Sequence, residues 1–140
     1  MASKLFLDAN IILDFMLKRA GYAGAKIVIE TAIDGKISPY TSSSIIHIVG
    51  YWLTKAYGAA KAKELLSALL DDVRILETDH ETTTQALQSR INDIEDALQY
   101  HTALHHKLDG FISRDKKLQK AANQILPVYT PEEFLKVFGQ

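Results

Sequence analysis

Acidic residues stand at three places where the chain passes from one predicted structural element to the next. Asp8 directly follows an apolar run, residues 5–7, that is typical of a buried strand, and an apolar helical pattern begins after it. Asp93 and Asp96 lie in the first turn of a predicted long helix, and Asp115 follows another short apolar run. In an open α/β sheet, ligands bind beyond the carboxyl ends of the strands, which is where Asp8 and Asp115 are predicted to lie.

Carboxylates that converge on one site repel each other unless a proton or a divalent cation compensates their charge. The chain has no cysteine, so thiolate metal sites are excluded, and hard oxygen ligands favour Mg²⁺ or Mn²⁺ over zinc. Asp93 and Asp96 are three residues apart and share one helical face, whereas Glu95 is predicted to point elsewhere. Taken singly, each acid could instead cap a helix, because Asp is a favoured N-cap and the helix macrodipole stabilises acids near an N-terminus.

The acids need a scaffold of strands and helices to bring them together, and the apolar pattern predicts one. Short apolar runs predict strands at residues 4–7, 36–40, 73–76, 110–113 and 126–129. Helical spacing predicts helices at residues 9–17, 22–33, 45–56, 59–70, 78–89, 93–107, 115–123 and 132–137. Pro39 disfavours a long central strand at 36–40. Strands that alternate with helices indicate an α/β fold with a mostly parallel sheet and helices on both faces.

Composition limits the protein class and the way in which a nucleic acid could bind. The 140 residues are predicted to form one domain, residues 1–140, and neither a signal peptide nor a membrane-spanning run is evident, so we expect a soluble cytoplasmic protein. The formal net charge is −1, so a nucleic-acid ligand would need a local basic patch. The densest such patch contains Arg114, Lys116, Lys117 and Lys120, with Lys18 and Arg19 as an extension.

Three motifs follow one another along the chain. They are a predicted strand followed by Asp8, the stretch Asp-Ile-Glu-Asp-Ala-Leu-Gln-Tyr at residues 93–100, and Ser-Arg-Asp-Lys-Lys at residues 113–117. This order resembles a PIN domain, the nuclease fold of many bacterial toxin–antitoxin ribonucleases, over essentially the whole chain. The resemblance implies a three-layer fold whose central sheet has four to five strands in an order near 3-2-1-4-5.

The same resemblance implies roles for individual residues. Asp8, Asp96 and Asp115 would be the catalytic acids and would hold Mg²⁺ or Mn²⁺, with Asp93 as an auxiliary metal ligand. The implied activity is hydrolysis of a phosphodiester, most often in RNA, by an endoribonuclease such as the toxin of a toxin–antitoxin pair. An antitoxin partner and a homodimer are implied in the same way.

One position departs from the PIN pattern. The family usually carries a second acid, a glutamate, on the helix after the second strand, and residues 42–52 contain no acid. His47 is the best match; a neutral imidazole can bind Mn²⁺ or accept a hydrogen bond from bound water, but it adds no negative charge. We therefore expect weaker metal binding than at a four-acid site. Both an active enzyme and a non-catalytic module that binds nucleic acid or a protein partner stay open.

Other residues are predicted to lie around the acids or away from them. Asn10 and Ser113 are candidates for the rim of the site, although both could simply satisfy caps and loops. Arg114, Lys116 and Lys117 are candidates for contact with the RNA backbone, beside the alternative of a solvated helix face. Asp14 could be a peripheral acid near the site, although a solvated position on an exposed face is expected. A phosphotransferase with Asp8 as nucleophile fits less well, because phosphatases of the haloacid-dehalogenase type need an acid at the position of Asn10.

Overall fold

A computed structural model describes residues 2–138 and contains a five-stranded parallel sheet in the order β3-β2-β1-β4-β5. The strands are β1 (Ser3–Leu7), β2 (Ile37–Ser42), β3 (Arg74–Leu76), β4 (Gly110–Ile112) and β5 (Val128–Tyr129). The predicted strand order is confirmed. The order reverses direction at β1, so the switch point of the sheet, where such folds bind ligands, lies between the carboxyl ends of β1 and β4.

The central strand, β1, is buried on both faces. Leu5, Phe6 and Leu7 are fully buried, and the ring of Phe6 stacks on Phe111 of β4 with centroids 4.8 Å apart. A continuous apolar run is what a central parallel strand requires, because helices cover both of its faces. The run ends at Asp8, so this carboxylate is held against the rigid centre of the sheet.

Strand β2 is longer than predicted, six residues that include Pro39. Proline has no amide hydrogen to give to a sheet ladder, so it is tolerated where a strand lacks a neighbour on one side. Pro39 is paired with Leu5 of β1, but β3 begins to pair with β2 only at Tyr40. At Pro39 the second strand therefore has one strand neighbour, and this explains why the strand continues through it.

Helices connect the strands and cover the sheet. Among residues 2–138 they are α1 (Ala9–Met16), α2 (Tyr22–Ile33), α3 (Ser43–Tyr57), α4 (Ala59–Leu69), α5 (His80–Gln88), α6 (Ile94–His105), α7 (Lys116–Ala121) and α8 (Pro131–Phe138). Crossovers between parallel strands are right-handed almost without exception, and with this strand order the rule places α1–α4 on one face of the sheet and α5–α7 on the other. The contacts agree, since α1 packs on α2 and α3, α3 packs on α4, and α5 packs on α6. No helix within residues 2–138 is both long and apolar enough to cross a membrane.

Three of these helices begin at an aspartate near the switch point of the sheet. Asp8 caps α1, Asp93 caps α6 and Asp115 caps α7, each accepting a hydrogen bond from a backbone amide of the first turn. All three acids therefore do cap helices, the alternative role that the sequence left open for each. Because the helices start at one edge of the sheet, their caps bring carboxylates to the same place.

Candidate active site

Asp8 lies in the middle of this edge. Its side chain is 7% exposed; Ala9 N donates a hydrogen bond of 2.8 Å to Oδ1, and Ser113 Oγ donates one of 2.7 Å to Oδ2. Burial raises the pKa of Asp8, although these two donors act to lower it, and the charges of Asp115 and Asp93 raise it further. A positive charge beside Asp8 would stabilise its ionised form.

Ser113 links Asp8 to Asp115. Its hydroxyl is buried and donates to Asp8, while it accepts a 3.0 Å hydrogen bond from the backbone amide of Asp115. Asp115 Oδ1 in turn accepts from the amides of Lys117 at 2.9 Å and Leu118 at 3.1 Å. One serine therefore fixes the position of Asp8 and the path of the backbone that carries Asp115.

Asp96 and Asp115 share a proton. Burial, followed by the hydrogen bond between its side chain and that of Asp115, raises the pKa of Asp96 to about 8. Burial alone would raise the pKa of Asp115 as well, but hydrogen bonds from Asp96, Leu118 and Lys117 outweigh it and lower that pKa. Near neutral pH, Asp96 is therefore largely protonated and donates to an ionised Asp115.

Glu95 lies near this cluster, although its side chain is exposed. Its pKa is raised by partial burial and then by the charges of Asp8 and Asp93. That its side chain points away from the face shared by Asp93 and Asp96 stays a prediction. Asp93 Oδ1, which accepts a 2.9 Å hydrogen bond from Asp96 N, completes the group.

The carboxylates of Asp8, Asp96 and Asp115 are suitable ligands for a hard divalent cation, but their oxygen atoms already take part in hydrogen bonds. Within residues 2–138, no three acidic or imidazole side chains are already arranged around a common metal position. Asp8 and Asp115 accept hydrogen bonds from helix N-termini, and Asp96 holds a proton against Asp115. Carboxylate oxygens are the ligands that Mg²⁺ and Mn²⁺ prefer, and such a cation would replace the shared proton as the compensating positive charge.

A groove of about 630 Å³ runs beside the carboxylates, between the segment before α6 and helix α7. Asp93, Asp96 and Asp115 are the acidic residues that line it. Three basic residues, Arg90, Lys117 and Lys120, line it as well, and we call them the basic wall. The sequence pattern did not indicate Arg90, because the residue is isolated in the chain and reaches α7 only through the fold, where its Nη2 is 3.4 Å from the carbonyl oxygen of Ala121.

Comparison with known proteins assigns the chain to a family. A family model described as PIN domain matches residues 4–117. The chain belongs to the PIN domain family. No curated protein matches this PIN domain in sequence. PIN domains of toxin–antitoxin pairs are nucleases, so membership of the family supports a nuclease in general.

Several solved structures share the fold of this PIN domain. A chain of the toxin–antitoxin complex from Klebsiella pneumoniae is 23% identical, with a TM-score of 0.68 and coverage of 92% of this chain and 98% of that one. VapBC2 from Rickettsia felis, solved with a DNA fragment from its promoter, gives 14% identity and a TM-score of 0.67 over 91% and 98%. PAE2754 from Pyrobaculum aerophilum gives 18% identity and a TM-score of 0.67 over 99% and 98%. At these identities the likeness establishes the fold.

Arg114 pairs with residues of α1 and of the turn between α1 and α2. Its guanidinium reaches away from the carboxylates and donates to Asp14 and to the carbonyl oxygen of Gly21. Asp14, expected to be exposed, is 5% exposed and also pairs with Arg19 at 2.9 Å. The expectation that Asp14 is exposed is therefore wrong, because its charge is compensated by Arg114 and Arg19. Contact of Arg114 with an RNA backbone stays a prediction.

His47 does not line the acidic cluster of this PIN domain in the described structure. Its side chain is exposed and borders a different groove, between α3 and α4, together with Tyr51 and Leu66. Helix α3 instead approaches α6 through Ser42, which caps α3 and donates to Gln99, while Gln99 Nε2 donates to Ser44 Oγ at 2.7 Å. A neutral network thus joins the first turn of α3 to α6.

The remaining candidates lie at the periphery. Asn10 is exposed and its side-chain oxygen accepts from Arg19 at 3.1 Å, so it belongs to the charged network of Asp14. Lys116 and Lys117 are exposed at the start of α7, and Lys117 contributes to lowering the pKa of Asp115. Of these three, Lys117 lines the groove beside the carboxylates.

Proposed function

We propose that this PIN domain is a divalent-metal-dependent endoribonuclease and the toxin of a toxin–antitoxin pair. The observation that carries the proposal is the convergence of three carboxyl groups at the switch point of the sheet: Ser113 joins Asp8 to Asp115, and Asp96 lines the same groove as Asp115. Helix caps alone give no reason for two carboxyl groups to meet, since each cap needs a single acid. A pair that must hold a proton when it lacks a cation is instead typical of a metal site.

Asp8, Asp96 and Asp115 would hold Mg²⁺ or Mn²⁺, with Asp93 as an auxiliary ligand. When bound, such a metal supplies an activated water and stabilises negative charge on the phosphate and on the leaving oxygen. Ser113 holds Asp8 and Asp115 close to each other through its two hydrogen bonds. Glu95 adds a further negative charge near Asp8 and so compensates in part for the missing acid on α3.

The basic wall would hold the phosphate backbone of the RNA next to the acids. Its three cations line the same groove as Asp93, Asp96 and Asp115, so a phosphate bound there lies beside the proposed metal ligands. The chain as a whole has a net charge of −1 and does not attract RNA through its overall field. Binding should therefore depend on these few residues and weaken with salt.

Replacing Lys120 by Ala should raise the KM for RNA by about 3- to 10-fold and leave kcat unchanged, because one phosphate contact is lost outside the cluster. The slope of log affinity against log salt should fall by about one. Cleavage kinetics give KM and kcat, and fluorescence anisotropy with a labelled RNA at several salt concentrations gives the slope. Lys63→Ala is the matched control, since Lys63 is an exposed lysine that borders the groove between α3 and α4. Equal effects of the two substitutions would contradict a specific role for the basic wall.

The proposed activity is tested directly by incubating the purified protein with single-stranded RNA in Mn²⁺, in Mg²⁺ and in EDTA. We expect cleavage with either metal and none with EDTA, and no cleavage by the Asp96→Asn variant. Cleavage at the same rate in EDTA would contradict metal dependence. Cleavage by Asp96→Asn at the wild-type rate would place the activity elsewhere, for instance in a contaminating nuclease.

The second candidate function is a PIN module that binds RNA or a protein without cutting. The observation that favours it is the lack of a preformed metal position among residues 2–138, together with the absence of an acid on α3. Such a module would bind RNA in the groove with equal affinity in Mn²⁺ and EDTA and would leave it intact. Anisotropy and cleavage measured on one RNA therefore separate the two candidates.

The partners are part of the proposal. An antitoxin is supported by the solved toxin–antitoxin complexes that share this fold, and a small open reading frame beside the gene would strengthen it. A homodimer is supported by Tyr51 and Trp52, which are about half exposed on α3 instead of lying in the core. Light scattering of the purified protein measures its mass in solution and so tests the dimer. We place the protein in the cytoplasm, where RNA is available to it.

A further inference from the structure

Arg114 stands between two residues of the candidate site but is directed away from it. Ser113 and Asp115 on either side are turned towards Asp8 and the start of α7. The Arg114 side chain crosses in the other direction to α1 and to the turn between α1 and α2, where it pairs with Asp14. The segment 113–115 is therefore bonded both to Asp8 and the start of α7 and, through Arg114, to Asp14 of α1.

The position that receives Arg114 is built around Gly21. The guanidinium Nη2 donates to the Gly21 carbonyl oxygen at 2.9 Å, and a Cβ on residue 21 would lie 1.4 Å from that same nitrogen. No side chain can therefore stand at residue 21 while Arg114 keeps this position. Arg114 fills the space that the glycine leaves.

Asp14 supplies the opposite charge in a place where water is excluded. It is 5% exposed and lies between the guanidinium groups of Arg19 and Arg114. Arg114 Nε is buried and has no hydrogen-bond partner among the described residues. The side chain therefore keeps this position although one of its donors is unsatisfied. Charge-assisted hydrogen bonds to a buried carboxylate are stronger and more rigid than those on an exposed surface.

We infer that Arg114 is a positioning residue, which ties the segment Ser113–Asp115 to α1 and thereby holds Asp115 and the Ser113 hydroxyl at the distances that metal binding needs. The inference rests on the proposed metal-dependent function. Release of Arg114 would loosen Ser113, and with it the hydrogen bond to Asp8 and the cap of α7. Groups that orient metal ligands typically affect metal affinity by about 10- to 100-fold.

The test is the affinity for Mn²⁺, measured by calorimetry or by electron paramagnetic resonance on folded protein. Arg114→Ala should weaken Mn²⁺ binding by about 10-fold or more, and Arg114→Lys should recover part of the loss because it can reach one of the two acceptors. Lys116→Ala is the matched control: it removes the same charge from an exposed neighbour of Asp115 and should change the affinity less than about 2-fold. At saturating Mn²⁺, the KM for RNA should be the same in Arg114→Ala and wild type.

A second readout needs no metal. Amide hydrogen exchange at Leu118 and Lys117, which donate to Asp115, should be about 10-fold faster in Arg114→Ala than in wild type. If Arg114→Ala proves unfolded, Asp14→Asn keeps the shape, removes the charge and should change exchange and affinity in the same direction. Unchanged exchange and unchanged Mn²⁺ affinity, with a raised KM for RNA, would overturn the inference and make Arg114 a phosphate contact. If wild type binds no Mn²⁺, the metal-dependent function fails, whereas faster exchange in Arg114→Ala would still show that Arg114 holds the segment.

Discussion

Replacing Asp8 by Asn is expected to reduce RNA cleavage by about 100- to 1,000-fold or more, because the change removes the buried charge at the centre of the proposed metal site. Asn has almost the same shape as Asp. It can still accept a hydrogen bond from Ala9 N, and Asn caps helices as well as Asp does. The rate of RNA cleavage in saturating Mn²⁺ measures the effect.

The fold should survive this change, because the lost acceptor for Ser113 Oγ is offset by the removal of a buried carboxyl group whose pKa is raised. Burial raises the pKa of Asp8 above its ordinary value of 3.8. The folded protein therefore binds this proton more tightly than the unfolded chain does, and the resulting contribution to the free energy of unfolding is present below pH 3.8 and is lost as pH rises through the folded-state pKa. A neutral Asn avoids that loss. Asp34→Asn, the same substitution at an exposed position at the end of α2, is the control and should leave both cleavage and melting temperature unchanged.

The second large effect concerns Asp96 and pH. With its pKa raised from 3.8 to about 8, Asp96 keeps its proton in the folded protein over a range in which the unfolded chain is ionised. Its contribution to stability is fully present below about pH 4 and is lost as pH rises to about 8. Asp96→Asn should therefore match wild type in stability near pH 4 and exceed it at pH 8, in metal-free buffer.

Chemical denaturation of both proteins at several pH values measures this difference. Addition of Mn²⁺ at pH 8 should stabilise wild type, because a ligand that binds the folded state raises its stability. The same addition should have little effect on Asp96→Asn, which lacks one of the proposed ligands. A difference between the two proteins that does not vary with pH would contradict the shared proton, and equal stabilisation by Mn²⁺ would contradict Asp96 as a ligand.

The parts of the fold that local patterns determine were predictable. An apolar run that ends at Asp8 indicates a central strand, and helix α2 has the predicted bounds of Tyr22–Ile33. The caps at Asp93 and Asp115 follow from their places at helix starts. Such features depend on neighbours within a few residues, and periodicity and capping preferences report on just those neighbours.

The parts that depend on distant partners were not predictable. Arg114 and Asp14 meet across 100 residues, and no spacing pattern links them. Arg90 joins the groove through the packing of the chain before α6 against α7. Pro39 is accepted within β2 because β3 starts to pair one residue later. In each case a contact made by the tertiary fold outweighed the local preference on which the prediction relied.

The position of His47 likewise depends on the tertiary fold and could not be predicted from the local sequence. A resemblance between sequences aligns it with the missing acid, yet the structure places it on the outer groove of α3 and joins Ser42 and Ser44 to Gln99 instead. Glu95, one residue before Asp96, carries the further negative charge near Asp8. The acids of this PIN domain are thus concentrated on the sheet edge and on α6, with a neutral polar network at α3.

Anomalous diffraction at the manganese edge, from crystals grown in Mn²⁺ near pH 8, tests the central claim most directly. We predict a peak within about 2.5 Å of carboxylate oxygens of Asp8, Asp96 and Asp115, with the hydrogen bond between Asp96 and Asp115 replaced by metal ligation. A peak elsewhere, or no peak while Asp96 remains hydrogen-bonded to Asp115, would contradict the claim that these acids form a divalent-metal site.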